Sequence, residues 1–384
     1  MSAWLLPDHI ADVLPSEARH IEDLRRDLLD VARRHGYELV IPPMVEHLQA
    51  LLTGAGRQRA LDTFQLVDQL SGKTLGVRPD ITPQVARIDA HLLNRQGVTR
   101  LCYCGPVLHT RVSRARSSRE PLQLGAEIYG HDGLEADLEA LDLAQALIEQ
   151  AALPGVRFDL GDARIFPAVL QGSRLDASTQ AELREAVATK SQARVSALSQ
   201  TLDPKVREAL IFLVQAYGDQ SILNEAAAVL QSFPTALKAL EDLNWLARHL
   251  ADVPVSFDLA DMSGYAYYTG VKFAAYSPGC SDALVRGGRY DEVGAAFGRK
   301  RPAVGFSLDL KTWVQLVPPL PLGAAIRAPW SEDAQLRAVI SRLRGQGHTV
   351  VCVLPGHESE VDEFDCDREL IRVGDHWVVQ PLSN

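Results

Sequence analysis

At 384 residues, with 46% hydrophobic and 23% charged side chains, the chain has the composition of a soluble globular protein and the length for one large domain plus one or two smaller ones. A formal net charge of −10 and a pI of about 5.6 give no overall basic footprint for nucleic acid. No apolar run approaches the roughly 20 residues of a membrane span, and no basic stretch followed by an apolar core marks a secretory signal, so a cytoplasmic protein without a membrane segment is expected.

In chain order, residues 1–16 are punctuated by Pro7 and Pro15. From Ser16, Ile21, Leu24, Leu28, Leu29 and Ala32 recur at helical spacing, and His35-Gly36 stops the helix. Residues 37–41 read as a short strand entering Pro42-Pro43, 45–52 as a helix, and 63–67 and 74–77 as two strands around the turn at Ser71-Gly72. The run Arg78-Pro79-Asp80-Ile81-Thr82-Pro83 then leads into a helix over 84–93, with Thr82 as its cap and Pro83 in its first turn. Arg78 and Asp80 fit either a surface turn or the polar rim of a pocket.

Residues 101–129 read as a long hairpin. Residues 101–108 are apolar and rich in strand formers, 112–120 carry Arg114, Arg116 and Arg119 among serines, and 121–129 are apolar again. The return strand places Gln123, Gly125 and Glu127 two apart, so they share one face. A Gln and a Glu on a face expected to be core mean either a wet face or a pocket for a ligand with complementary polar groups. Cys102 and Cys104 lie two apart on the outgoing strand; without companion pairs they make a poor zinc site, so buried thiols are expected, and neither a metal nor a cofactor is implied.

An amphipathic helix over 135–152 and a strand over 156–160 follow. Residues 164–250 are rich in Ala, Leu, Gln, Glu and Lys with helical periodicity, as expected of an inserted bundle. Strand patterns resume at 255–260. After the turn at Met262-Ser263-Gly264 they continue at 265–275, in a strand ending in the glycine-rich turn Arg286-Gly287-Gly288-Arg289-Tyr290-Asp291, and at 302–310 before a helix over 309–316. Pro318, Pro319 and Pro321 form a stiff linker. Beyond it, strand, helix and strand at 323–327, 331–345 and 348–354 suggest a small α/β domain. The expected organisation is a core over 1–317, containing the 164–250 insertion, and a C-terminal domain over 322–384.

The strands flanking the insertion must share one sheet, since each half alone is too small. The result is an α+β fold: an antiparallel sheet flanked by helices, with a polar face carrying Asp80, Thr82, Gln123, Glu127, Tyr268 and Tyr290. This pattern resembles the core of class II aminoacyl-tRNA synthetases, and closely that of histidyl-tRNA synthetase. The resemblance covers about 1–317, through residues 37–43 (the first, dimer-forming motif), 76–87, 103–130 (the second motif), 265–273, 287–291 and 302–310 (the third). It implies a histidine-binding set: Asp80, Thr82 and Gln123 toward the amino group, and Glu127 and Tyr268 toward the imidazole, with Tyr290 on the same face. An ammonium suits Asp80 and an imidazole N–H suits Glu127. Asp80 is one methylene shorter than the Glu the family places there.

Three departures matter. The resemblance places catalytic arginines where this chain has His109, Ser263 and Thr312. Arg is needed there because a fixed, always charged fork binds phosphate bidentately and stabilises charge growing in the transition state. Residues 262–266 are also altered. Residues 321–384 are too few for an anticodon-binding domain. A core that keeps the histidine pocket and loses the three arginines resembles one family, the regulatory subunit of hetero-oligomeric ATP phosphoribosyltransferase. That resemblance implies no catalysis of its own, a short catalytic subunit as partner, histidine as effector in feedback, dimers through the first motif within a hetero-octamer, and no tRNA. The rival readings are an active histidyl-tRNA synthetase and a stand-alone histidine-binding relative. The expected coupling is that histidine orders the 112–120 loop or the 287–291 turn.

Overall fold

A computed structural model describes residues 4–53, 61–112, 118–250, 253–265, 267–319, 324–357 and 364–382. Its contacts divide the chain into two compact units, Met1–Asp12 with Ile21–Val317, and Val13–His20 with Pro318–Asn384.

The strands of the larger unit are β1 (Glu38–Leu39), β2 (Val45–His47), β3 (Gln65–Val67), β4 (Thr74–Val77), β5 (Thr99–Pro106), β6 (Leu122–Tyr129), β7 (Arg157–Asp162), β8 (Tyr217–Gly218), β9 (Val255–Asp258), β10 (Val271–Tyr276), β11 (Val285–Arg289) and β12 (Ala303–Asp309). Nine of them form one sheet in the order β1-β5-β6-β12-β11-β10-β7-β9-β8, antiparallel except where β1 meets β5 and β7 meets β9. Strands from before and after the helical segment therefore lie side by side, as the sequence requires. That segment contributes the helices Ile165–Leu170, Ala177–Ala188, Gln192–Leu198, Pro204–Gln215, Ser221–Val229 and Pro234–His249, interrupted by β8.

Helix Leu134–Gln150 packs on β6, β11 and β12 through buried Ala140, Leu141, Ala144 and Leu147. On the face that carries Glu127, Ile81, Val85, Leu101, Tyr103, Tyr129, Tyr290 and Phe297 form one apolar cluster. Two buried ion pairs stand out among the described residues of this unit. Arg289 joins Asp137 and donates to the carbonyls of His131 and Gly133, and Arg301 joins Asp89 at 2.9 Å. Each guanidinium is thus paired and hydrogen-bonded, the condition under which a buried charge is tolerated. Cys102 and Cys104 lie on β5, where burial pushes their thiols up to about 11 and about 12.

Local reading and structure part company where long-range pairing decides. Residues 45–47 are not helical: they form β2 against Val77, Gly76 and Leu75 of β4, and only Leu48–Leu52 is helix. The strand expected from 265 begins at Val271, because Gly264 (φ +64°) turns the chain back and lays Tyr267 and Tyr268 over the sheet. Gly287 and Gly288 are not in a loose turn; they sit inside β11, paired on both sides. The helix expected to reach 316 is confined to Leu310–Trp313. Among the described residues, no helix is long and apolar enough to cross a membrane.

The smaller unit holds β13 (Ala325–Pro329), helix Ala334–Gly345, β14 (Val350–Val353), β15 (Cys366–Val373) and β16 (His376–Pro381), in the sheet order β14-β13-β15-β16. Its core is Ile326, Ala328, Leu336, Ile340, Leu343, Val350 and Leu370. The last two strands were not predicted from the sequence.

Candidate functional site

Directly paired residues on neighbouring strands share a face. Across β5, β6, β12, β11 and β10, one row therefore reads Leu101, Glu127, Gly305, Gly288, Lys272, and the next reads Tyr103, Gly125, Ser307, Arg286, Ala274. With strands about 4.8 Å apart, Glu127 and Lys272 stand about 14 Å apart across a floor of two glycines. The missing side chains leave a trough, and Tyr267 and Tyr268 from the 264–270 turn line it too. The cavity measures about 300 Å³.

Glu127 is fully buried at one bank. One carboxylate oxygen accepts from the hydroxyls of Thr82 and Tyr103, each at 3.0 Å, and the other accepts from the Tyr290 hydroxyl. Burial dominates its titration and pushes it up to about 8, against the pull of the three hydroxyls; Asp80 raises it further. The unfolded chain releases this proton near 4.5 while the folded chain keeps it to about 8. Its contribution to stability is therefore complete below pH 4.5 and is lost as pH rises through 8. Thermal unfolding from pH 5 to 8 should show a downward slope in the wild type that Glu127→Gln lessens, by up to about 1.4 kcal/mol per pH unit. An identical slope in both proteins would contradict the assignment.

Asp80, Thr82 and Gln123 form the adjoining wall. The Asp80 carboxylate accepts from the Thr82 backbone N–H at 3.0 Å and from Gln123 Nε2 at 2.9 Å, while Gln123 Oε1 accepts from the Ile81 N–H at 2.9 Å. Thr82 is thus not the helix cap its position suggests. Helix Thr82–Arg87 has Ile81 before it, Asp80 takes the Thr82 N–H, and the Thr82 hydroxyl turns to Glu127 and to Tyr103 at 2.8 Å. Arg78 belongs to neither wall. It is buried and donates to the carbonyls of Pro42 and Pro106, a structural clasp.

Tyr267 stacks on Tyr290 at 5.0 Å and meets Tyr268 edge-on at 5.2 Å. Tyr268, Tyr290, Glu127, Thr82 and Asp80 all border the cavity, so the structure brings these predicted residues together; Gln123 joins them through Asp80. At the far bank, the Lys272 ammonium pairs with Asp261 at 2.8 Å and also donates to the carbonyls of Asp261 and Ser263. Burial holds Lys272 below the usual lysine range, and the nearby ammonium helps hold Asp261 below the carboxylate range against its own burial.

A second cavity of about 580 Å³ lies beside the first, and both are bordered by Asp80, Arg286 and Ser307. His109 lines it, with its ring donating to the Pro79 carbonyl at 2.9 Å, and Arg111 lines it too. Ser263 borders the first cavity, but its hydroxyl is taken by Asp261 at 2.8 Å. Thr312 borders neither: its hydroxyl donates to Asp309 at 2.9 Å at the start of helix Leu310–Trp313. Arg119 lies over Phe64 and donates to the His109 carbonyl. Arg114 and Arg116 of the 112–120 loop, and Ala266 of the 262–266 stretch, lie outside the described residues.

Sequence reasoning missed Tyr103, Asp261, Lys272 and Arg286. One sign of Tyr103 was available: Gly125 between Gln123 and Glu127. Tyr103 pairs with Gly125, and a Cβ at 125 would overlap the Tyr103 hydroxyl and meet the Phe306 carbonyl at 2.7 Å. The glycine is needed so that the tyrosine can reach Glu127.

Comparison with known proteins places the chain in a family. A family model described as histidyl-tRNA synthetase matches residues 9–313, and one described as ATP phosphoribosyltransferase subunit HisZ C-terminal domain matches 323–380. The chain is 61% identical over 382 residues to the ATP phosphoribosyltransferase regulatory subunit of Verminephrobacter eiseniae, covering all of both chains. It is 53% identical to that of Burkholderia thailandensis, covering 99% of this chain and all of the other. Among solved structures, an ATP phosphoribosyltransferase regulatory subunit/histidyl-tRNA synthetase from Bacillus halodurans superposes with a TM-score of 0.82 at 24% identity, over 95% of this chain and 100% of that one. A histidyl-tRNA synthetase from Nostoc sp. PCC 7120 gives 0.78 at 19% identity, over 97% and 92%. These two likenesses establish the class II synthetase-like fold.

Proposed function

The chain belongs to the family of ATP phosphoribosyltransferase regulatory subunits, and from that premise we propose that it binds and activates a short catalytic phosphoribosyltransferase subunit and senses histidine in the first cavity, feeding back on the first step of histidine biosynthesis. The observation that carries this reading is the pairing of an intact polar pocket with phosphate-gripping positions that hold no arginine. The imidazole of histidine faces Glu127, between Tyr268 and Tyr290. Its ammonium faces Asp80, which Thr82 and Gln123 orient through the two hydrogen bonds they donate to it. Glu127 suits an imidazole because it accepts when ionised and donates when protonated.

The chain has no catalysis of its own on this reading. His109 is committed to a backbone carbonyl, Ser263 to Asp261 and Thr312 to Asp309. Loss of one preorganised donor costs about 10²–10³ in rate, and here three are absent. Histidine bias reaches the partner through residues 112–120, whose first residue, Val112, lines the second cavity together with Arg111. A ligand shifts such an equilibrium only by its difference in affinity for the two states. Because 287–289 are locked inside β11, the 112–120 loop is the better lever of the two expected. Dimers form through 37–43, where β1 ends the nine-stranded sheet and Leu39 and Ile41 are 50% and 82% exposed. The assembly is a cytoplasmic hetero-octamer that does not bind tRNA.

Two measurements test this together. The purified chain should give only background histidine-dependent pyrophosphate exchange, and it should co-purify with a co-expressed short catalytic subunit. Robust exchange without co-purification would instead identify an active synthetase.

A further inference from the structure

We propose that Arg286 recognises the α-carboxylate of the bound ligand, so that the site takes a free amino acid and discriminates against its amine and alcohol analogues; this rests on the reading that histidine occupies the first cavity. The two cavities meet at Asp80, Arg286 and Ser307: one acid, one base and one hydroxyl. That is the complement of a zwitterion, with ammonium toward Asp80 and carboxylate toward Arg286.

Charge decides which cation serves. The first cavity is bordered by the carboxyl groups of Asp80, Glu127 and Asp261, and by two cations, Lys272 and Arg286. The Lys272 ammonium has three donors, and it already faces three acceptors: the Asp261 carboxylate and the carbonyls of Asp261 and Ser263. Arg286 has five donors. It gives Nη2 to Asp282 at 2.8 Å and lies beside the Tyr276 hydroxyl, and its side chain remains 40% exposed. A carboxylate entering among three acids therefore has one cation with donors to spare. The register sets its place: Arg286 is two strands from Gly125, about 10 Å from the backbone between Gln123 and Glu127, on the same face. The 262–264 turn, Met262-Ser263-Gly264, carries no cation, and its one hydroxyl, that of Ser263, is bound to Asp261. Arg286 is thus a specificity-determining residue, and its planar fork can bind a carboxylate with two parallel hydrogen bonds.

The test is calorimetry on the full chain with histidine, histidinol and histamine, in the wild type, Arg286→Gln and Arg286→Lys. Loss of a hydrogen-bonded charge contact corresponds to about 10- to 100-fold in affinity. The wild type should bind histidine at least tenfold tighter than either analogue. Arg286→Gln should lose that preference by weakening histidine alone, and Arg286→Lys should keep part of it. Equal affinities for histidine and histidinol in the wild type, or unchanged histidine binding in Arg286→Gln, would overturn the carboxylate role and leave the histidine reading standing. Binding of none of the three ligands by the wild type would overturn both. If Arg286→Gln does not fold, the wild-type ratio and Arg286→Lys still decide.

Discussion

Glu127→Ala should weaken histidine binding at least 100-fold. The substitution removes the one carboxyl group at the buried end of the cavity, a charge-assisted contact worth about 1.5–3 kcal/mol. It also strands three hydroxyls, those of Thr82, Tyr103 and Tyr290, which now converge on that carboxylate. Each unsatisfied buried group adds about 1–3 kcal/mol of desolvation cost, and any rearrangement that satisfies them changes the pocket. Glu127→Gln keeps the shape and an acceptor but cannot ionise, so it should fall between wild type and alanine. Calorimetric titration of the three proteins, each first checked for a cooperative thermal transition, measures the effect. Wild-type affinity in Glu127→Ala would exclude this cavity as the histidine site.

Gly305→Ala should do comparable damage by adding one methyl group. Gly305 pairs with Glu127 across β6 and β12. A Cβ there would overlap a Glu127 carboxylate oxygen and come within 2.5 Å of the Ala126 carbonyl. A backbone carbonyl in the middle of the sheet cannot move aside, so the carboxylate must, and its bond from Tyr290 breaks with it. Overpacking of this kind costs about 1–3 kcal/mol, and histidine affinity should drop about 100-fold as well. Gly345→Ala is the control: nothing lies within 4 Å of its added Cβ, it carries no positive φ, and it ends a surface helix. Thermal melts and histidine titration of both variants check this. A Gly305→Ala protein that melts and binds like wild type would show that the glycine floor is not required.

Much of this site was legible in the chain. The Gln123, Gly125, Glu127 alternation fixes a polar face, and the resemblance of 76–87, 103–130 and 265–273 to the synthetases supplies its partners. What local spacing could not supply was register. Glu127 faces Gly305 and, beyond it, Lys272, and no window of sequence brings these residues together. Thr82 misled for a related reason. Its place before Pro83 suits a cap, but Asp80 takes the Thr82 N–H and frees the hydroxyl for Glu127. Tyr267 and Tyr268 have strand propensity, yet Gly264 turns them over the cavity. In the smaller unit, β15 is mostly half-buried and carries charges on both faces, and β16 is largely exposed with apolar Trp377, Val378 and Val379 in succession, so the period-two alternation that marks a half-buried strand is weak there.

The account as a whole turns on regulation rather than chemistry in this chain. Its most direct test is the rate of phosphoribosyl transfer by a purified short catalytic subunit, measured alone, with this chain, and with this chain plus histidine. The prediction is a rate that rises when the chain is added and falls as histidine is titrated in, with the histidine effect lost in Glu127→Ala while activation remains. A rate indifferent to the chain, or inhibition by histidine that persists unchanged in Glu127→Ala, would contradict it.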